Sequence, residues 1–251
     1  RHFLIGVCAH LGLNPPLPDR CQACAQNFGA KGFLQHSTSC KSIGAGGQAG
    51  ITKQHVSWGL RSMGGIKIGT REPVLEKTQG FTKVAPELSK NGKAKKAKKV
   101  ALTKDGEAKP KPKGKKRADI GFMMGATYIV VDTTLGGTFP KVFAASNARI
   151  PAFLANLAQG RKKKEYRHWK TKPPVEAFFV GIDHHGTISD DGIRLLHKVK
   201  RFAKLTKSYN GINTFWEHLS VGLVRGIAYG VDIMTHGEPP LGNEFALSAV
   251  V

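Results

Sequence analysis

Apolar and polar positions near the middle of the chain predict a β-hairpin. One short apolar strand is predicted at 119–123 and a second, rich in β-branched residues, at 126–132. Gly121 and Gly125 are residue types that suit the turn between the two strands. Asp119 begins the first strand and Asp132 ends the second. Because paired strands share their edges, we expect both carboxylates at the same margin of a sheet.

Apolar residues spaced three or four positions apart predict four helices. The first ends near Met63 and follows a flexible Gly/Ala/Ser joint at 41–50. The second runs from about 144 to 158 and continues towards Tyr166, with Ile150 on its apolar side. The last two are expected at 192–205, with Ile193 facing inward, and at 214–233. In the last helix, glycines at every fourth position indicate close helix packing (Gly222, Gly226 and Gly230).

Further strands are expected on either side of the hairpin. A mostly apolar run predicts one at 175–182, and shorter strand material lies near 66–68 and 73–75. The order of elements predicts an α/β domain over 51–236, in which a mixed sheet is flanked by helices. Residues 1–20 are interpreted as the tail of a preceding region.

A cysteine–histidine motif precedes this domain. Cys21, Cys24, His36 and Cys40 follow the spacing C-x2-C-x11-H-x3-C. Two thiolates two residues apart can hold one side of a Zn²⁺ ion, and a His-x3-Cys pair can complete the tetrahedron. With all four positions filled by protein ligands, the zinc of a knuckle at 21–40 would be structural. The alternative is three buried cysteines and an unrelated histidine.

Charge points to a polyanionic partner. Of 251 residues, 39 are Lys or Arg and 17 are Asp or Glu, which gives a formal net charge of +22. Between Lys90 and Arg117 there are 12 lysines and one arginine against two acids. We interpret 88–117 as a disordered basic insertion that holds phosphates without reading sequence. The alternative is that this segment is a nuclear localisation signal. The sequence contains no run of 18 apolar residues, so no membrane span is predicted.

The paired aspartates have a chemical consequence. Two converging carboxylates repel unless a cation lies between them, and Mg²⁺ or Mn²⁺ would suit oxygen ligands. Glu72, held extended before Pro73, is a candidate third carboxylate. Lys162 lies one helical turn before Tyr166, so a lysine on that helix face could reach the pair. The alternative is two solvated aspartates at strand ends and an exposed basic helix end.

Taken in order, these motifs resemble the C-terminal region of site-specific non-LTR retrotransposon polyproteins. The resemblance covers about 8 to 232 and includes the knuckle, a histidine in the following helix (His55), and Glu72-Pro73 before the hairpin. Arg117-Ala118-Asp119-Ile120 resembles the Arg/Lys-Pro-Asp-hydrophobic motif of that family. The stretch Lys162 to Tyr166 resembles its Lys-rich segment ending in Tyr.

By this resemblance the domain would be a restriction-like endonuclease of the PD-(D/E)xK class. Asp119 and Asp132 would hold magnesium or manganese, and Lys162 would position the attacking water. Cleavage would nick a DNA target in the nucleus and prime reverse transcription of the element RNA by a reverse transcriptase domain in the same polypeptide. His55, Arg61, Arg117 and Lys164 are candidate nucleic-acid contacts. The alternative is a zinc-dependent nucleic-acid-binding module without catalysis.

Overall fold

The computed structural model describes part of the chain. The described residues are 19–27, 36, 40, 45–71, 73, 75, 81–83, 117–136, 149–183 and 185–237. Glu72 and nearly all of the basic insertion predicted at 88–117 lie outside these residues, as do residues 1–18.

The described residues form a mixed α/β fold around a four-stranded sheet. Its strands are β1 (Ile68–Arg71), β3 (Ile120–Met124), β4 (Thr127–Leu135) and β6 (Val175–Ile182), in the order β1-β3-β4-β6. Strands β1 and β4 both pair antiparallel with β3, whereas β6 pairs parallel with β4. Two short strands that the sequence analysis did not predict pair separately, β2 (Phe81–Lys83) and β5 (Trp169–Thr171).

The predicted hairpin is confirmed, with two corrections. Strand β4 continues beyond its predicted end at Asp132 to Leu135, so Asp132 lies within the strand. Strands β3 and β4 pair from Ile120–Val131 to Met124–Thr127. Gly125 forms the turn and has a φ of +61°, a conformation that residues with a side chain rarely adopt. Gly121 is not a turn residue: it lies in β3, where an added Cβ would be 2.1 Å from the Tyr128 hydroxyl.

Within the described ranges, four helices flank the sheet: α1 (Ala45–Gly64), α2 (Phe153–Glu165), α3 (Asp190–Leu205) and α4 (Asn213–His236). The joint predicted at 41–50 was partly wrong, because α1 already begins at Ala45. Once a helix has nucleated, extending it costs little, so its packed C-terminal half can carry a Gly-rich first turn.

The helix predicted from about 144 is interrupted at 150–152: Arg149 is helical, and α2 begins at Phe153. Ala152 has a left-handed φ of 54° directly before it, and Pro151 restricts the residue ahead. As a result Ile150 is 51% exposed instead of lying on an apolar helix face. In α3 the inward side is formed by Leu195, Leu196 and Val199, while Ile193 is exposed.

One apolar core lies between the sheet and three of the helices. It joins Phe122 and Ile129 of the hairpin to Leu60 of α1, Val199 of α3 and Leu219 of α4. The close packing predicted for α4 is confirmed at Gly222, where an added Cβ would lie 2.5 Å from the His55 Cβ. Among the described helices, none combines the length and apolar character that a membrane crossing requires.

Candidate metal and nucleic-acid site

Asp119 is fixed beside the end of β4. Its backbone N–H donates to the Val131 carbonyl at 3.0 Å, which extends the β3–β4 ladder by one bond. Its Oδ2 accepts hydrogen bonds from the Thr133 backbone N–H at 2.6 Å and from the Thr133 hydroxyl at 2.8 Å. The Asp119 carboxylate is therefore anchored through one oxygen, and Oδ1 is left to meet other groups.

Asp132 is buried next to Asp119, with only 2% of its surface exposed. Burial, followed by the neighbouring Asp119 charge, raises the pKa of the Asp132 carboxyl to about 6. Asp132 Oδ2 is buried and accepts no hydrogen bond of favourable geometry, although it forms an ion pair with Lys162 Nζ at 3.1 Å. The structure thus brings the two aspartates together, with a buried oxygen that lacks a full set of partners.

Lys162 reaches this pair from α2. Burial alone would lower the pKa of its ammonium, but the Asp132 charge outweighs that effect and the net shift is upward. Lys162 therefore remains protonated, and it also lies 3.5 Å from Glu165. Tyr166 shares the helix face as the sequence predicted, with Lys162 Nζ 5.9 Å from its ring centre.

Tyr166 is a buried residue at the end of α2 that packs beside the two aspartates. Its hydroxyl donates to the Arg117 carbonyl at 2.9 Å, which ties the end of α2 to the residues before β3. Its ring packs against Phe179, with centroids 4.9 Å apart. Burial raises the pKa of the Tyr166 hydroxyl, and the Asp132 charge adds to that rise, so the hydroxyl acts as a proton donor and not as a base.

The close approach of α2 to the sheet depends on Gly181 of β6. A Cβ at Gly181 would lie 1.9 Å from the Ala155 carbonyl oxygen. Without that side chain, the α2 backbone rests directly on the strand. This close packing of α2 on β6 positions Lys162 within ion-pair distance of Asp132.

Lys53 of α1 also belongs to the site, and the sequence analysis did not single it out. Its Nζ lies 2.6 Å from Asp119 Oδ1. Helical spacing does place Gly50, Lys53 and Ser57 on one face of α1. That stripe was a usable signal, but only the tertiary structure turns it towards Asp119.

A cleft opens beside Lys53. It has a volume of about 370 Å³ and lies between α1 and the start of β3. Its lining includes Gly50, Lys53, Gln54, Ser57, Arg117, Asp119 and Ile120. Two cationic side chains, an amide and a hydroxyl at the mouth of a carboxylate pair form a surface suited to phosphate oxygens.

The other predicted nucleic-acid contacts are divided between surface and interior. Arg61, Arg117 and Lys164 are exposed. His55 is not: it is 3% exposed, packed edge-on to Trp58 at 4.8 Å and close to His218. Burial, followed by the charge of Arg225, lowers the pKa of His55 to about 4. His55 is thus a neutral core residue here, and the expectation of a direct phosphate contact was wrong for this conformation.

The predicted zinc ligands do converge. The candidate ligand atoms of Cys21, Cys24, His36 and Cys40 all lie within 4.8 Å of one another. Cys21 Sγ is 3.9 Å from Cys40 Sγ, and Cys24 Sγ is 3.3 Å from His36 Nε2. A tetrahedron with Zn–S bonds of about 2.3 Å has S–S edges of about 3.8 Å, so the cluster can hold a metal such as zinc.

Burial favours the neutral forms of these ligands. It raises the pKa of the Cys21 thiol to about 11 and lowers the pKa of the His36 imidazole. A neutral imidazole is already the ligand form of histidine. The thiols, by contrast, must release their protons when a cation binds.

The cysteine–histidine cluster is docked on the last turns of α4. The Gln22 backbone N–H donates to the Met234 carbonyl at 2.7 Å, and Cys21 and Cys40 pack with Val231 and Ile233. The cluster is therefore continuous with the C-terminal helix.

Comparison with known proteins gives no family assignment. A scan against protein-family models and a search of curated proteins both found no match to the chain. Its function must be inferred from the geometry of the site.

Proposed function

We propose that this chain is a metal-dependent DNA endonuclease of the PD-(D/E)xK type, preceded by a structural zinc knuckle. The observation that carries the proposal is the meeting of Asp119, Asp132 and Lys162. Two carboxylates and a lysine from a neighbouring helix come together, with Lys162 3.1 Å from Asp132.

The chemistry of the donor set supports a divalent ion. Mg²⁺ or Mn²⁺ prefers carboxylate oxygens and retains water ligands. The Thr133 hydrogen bonds occupy Asp119 Oδ2, which leaves Asp119 Oδ1 and the buried Asp132 Oδ2 as candidate ligands of such an ion. When bound, the ion would lower the pKa of a coordinated water and offset charge at the phosphorus. Glu72 stays a candidate third ligand outside the described residues.

The protein side chains would have separate roles. Asp119 and Asp132 hold the ion, and Lys162 orients or polarises the attacking water. Arg117, Arg61 and Lys164 contact phosphates, and the formal charge of +22 draws DNA to the surface. Zinc bound to Cys21, Cys24, His36 and Cys40 stabilises the knuckle and its contact with α4.

The biological setting follows from the resemblance to retrotransposon polyproteins. In that setting the chain nicks target DNA in the nucleus and leaves a 3′-hydroxyl. A reverse transcriptase domain of the same polypeptide extends this end on the element RNA. The order of knuckle, hairpin and Lys-rich helix supports this setting.

A plasmid-nicking assay tests the proposal. The parent should nick supercoiled DNA with Mg²⁺ or Mn²⁺ and not with chelator, whereas Asp132→Ala should not nick. Asp190→Ala removes an exposed aspartate at the start of α3 and should nick like the parent. DNA binding, measured at matched salt, should survive in both variants.

The second candidate is a zinc-dependent nucleic-acid-binding module without catalysis. One observation favours it: each aspartate already has a lysine partner, Lys53 for Asp119 and Lys162 for Asp132. Such pairs can be purely structural. A parent protein that binds DNA but shows no metal-dependent nicking would establish this candidate and overturn the endonuclease.

A further inference from the structure

The two lysines of the site are held differently. Lys162 is 23% exposed and pairs with Asp132, whose side chain is 3% exposed. Lys53 is 38% exposed and pairs with Asp119, whose side chain is 10% exposed. Lys53 lines the cleft, whereas Lys162 pairs with the buried Asp132. Solvent-exposed ion pairs contribute little to stability, so Lys53 can leave its partner at small cost.

Lys53 also occupies the oxygen that a metal ion would need. Thr133 donates two hydrogen bonds to Asp119 Oδ2, so Oδ1 is the oxygen left for a cation. Lys53 Nζ lies 2.6 Å from that Oδ1. An ammonium and a divalent ion cannot both approach one carboxylate oxygen closely, because their charges repel.

Charge balance leads to the same conclusion. Two carboxylates and two ammonium groups sum to zero, and a divalent ion added to all four would leave a charge of +2 in a partly buried site. Releasing one lysine lowers that charge, and the more exposed lysine is the one that can be released. Its new surroundings would be the cleft lined by Gln54, Ser57 and Arg117.

We propose that Lys53 is a displaceable cation that competes with the divalent ion for Asp119 and binds a DNA phosphate in the cleft once it is displaced. This inference rests on the proposed function. It makes Lys53 a positioning residue that couples two binding events: metal releases Lys53 for phosphate, and phosphate draws Lys53 away from Asp119. By linkage, each ligand then strengthens the binding of the other by the same factor.

Metal binding without DNA tests the competition. Calorimetry with Mn²⁺ should show about five- to tenfold tighter binding to Lys53→Met than to the parent, since a factor of ten corresponds to one competing charge of modest strength. Lys53→Gln should behave similarly and provides a second variant if Lys53→Met folds poorly. Lys67→Met removes an exposed lysine elsewhere and should leave Mn²⁺ affinity unchanged, with the same net charge as Lys53→Met.

DNA binding tests the coupling. Anisotropy of a labelled duplex should show that Ca²⁺ strengthens binding to the parent several-fold and that Lys53→Met loses most of this gain. Unchanged or weaker Mn²⁺ binding by both Lys53 variants would overturn the inference. If the parent still nicks DNA in that case, the endonuclease stands and only the role of Lys53 falls. If no variant binds Mn²⁺ and the parent does not nick, both fall.

Discussion

Lys162 of α2 lies 3.1 Å from Asp132 of β4, and this ion pair joins the helix to the most buried carboxylate of the site. Buried charges are costly unless they are paired. Burial and then the like charge of Asp119 raise the pKa of Asp132 to about 6, and the charge of Lys162 only partly offsets that rise. The arrangement is poised to accept more positive charge.

Replacing Lys162 with Met should reduce metal-dependent nicking by about a hundredfold or more, because a preorganised charge near the reacting atoms is lost. DNA affinity at fixed salt should change little, since Lys162 is mostly buried. Single-turnover nicking rates measure the effect.

Lys163→Met is the matched control for Lys162→Met. Lys163 is the next residue of α2, but its Nζ pairs with Asp191 at 3.0 Å and takes no part in the site. It should nick at nearly the parent rate. Equal rates for Lys162→Met and the parent would show that another lysine, or none, serves the reaction.

Gly181→Ala should destabilise the protein by about 1–3 kcal/mol or more, because the new Cβ would meet the Ala155 carbonyl at 1.9 Å and force α2 off the sheet. Nicking should fall as well, since Lys162 moves with the helix. Denaturant unfolding gives the free-energy change.

Gly160→Ala is the control for Gly181→Ala. Gly160 lies in α2, where an added Cβ would have no atom within 4 Å, so this variant should be stabilised by about 0.5–1 kcal/mol. Similar losses in both variants would contradict the packing described for Gly181.

His55 should make stability depend on pH. Its folded pKa of about 4 is below the ordinary histidine value of 6.5. Between about pH 4 and 6.5, His55 therefore binds a proton in the unfolded chain but not in the folded chain. Its contribution to stability is fully present above about pH 6.5 and is lost as the pH decreases towards 4. The shift corresponds to about 3 kcal/mol. Unfolding free energies measured between pH 4 and 7 should fall less steeply in His55→Phe, and parallel curves for the two proteins would refute the assignment.

Zinc removal should loosen more than the knuckle. Chelation should release one zinc per chain and expose amides in residues 21–27 and in the last turns of α4, because Gln22 is bonded to Met234. Strands β4 and β6 should keep their protection in hydrogen exchange. Cys40→Ser should reproduce the effect, whereas Cys8→Ser, which changes a cysteine that is not part of the C-x2-C-x11-H-x3-C motif, should keep its zinc. A purified, reduced parent without bound zinc would contradict the site.

The elements predicted well are those whose pattern is local. Strand β6 matches the expected 175–182, because the mostly apolar run ends just before Asp183. The Asp183 carboxylate accepts hydrogen bonds from the backbone N–H groups of His185 and Thr187, and the chain turns there. The hairpin follows from two apolar runs around Gly125. Lys162 could be proposed because it shares a helix face with Tyr166.

The misplaced features depend on tertiary structure. Histidine is a residue type that can bind phosphate, but the His55 side chain packs against Gly222 of α4. No local sequence pattern reveals that contact. Lys53 is one of many lysines, and only the packing of α1 against the hairpin brings it to Asp119. Ile150 has helical spacing, yet the left-handed Ala152 ends its continuity with α2.

The position of a divalent ion is the most direct measure of whether Asp119 and Asp132 form a metal site. Crystals grown with Mn²⁺ can be examined by anomalous scattering. We expect a peak within coordination distance of one oxygen from each carboxylate, with Lys53 moved away from Asp119 and Lys162 still beside Asp132. No peak between the carboxylates, with both lysines still paired as they are here, would contradict the metal-dependent endonuclease.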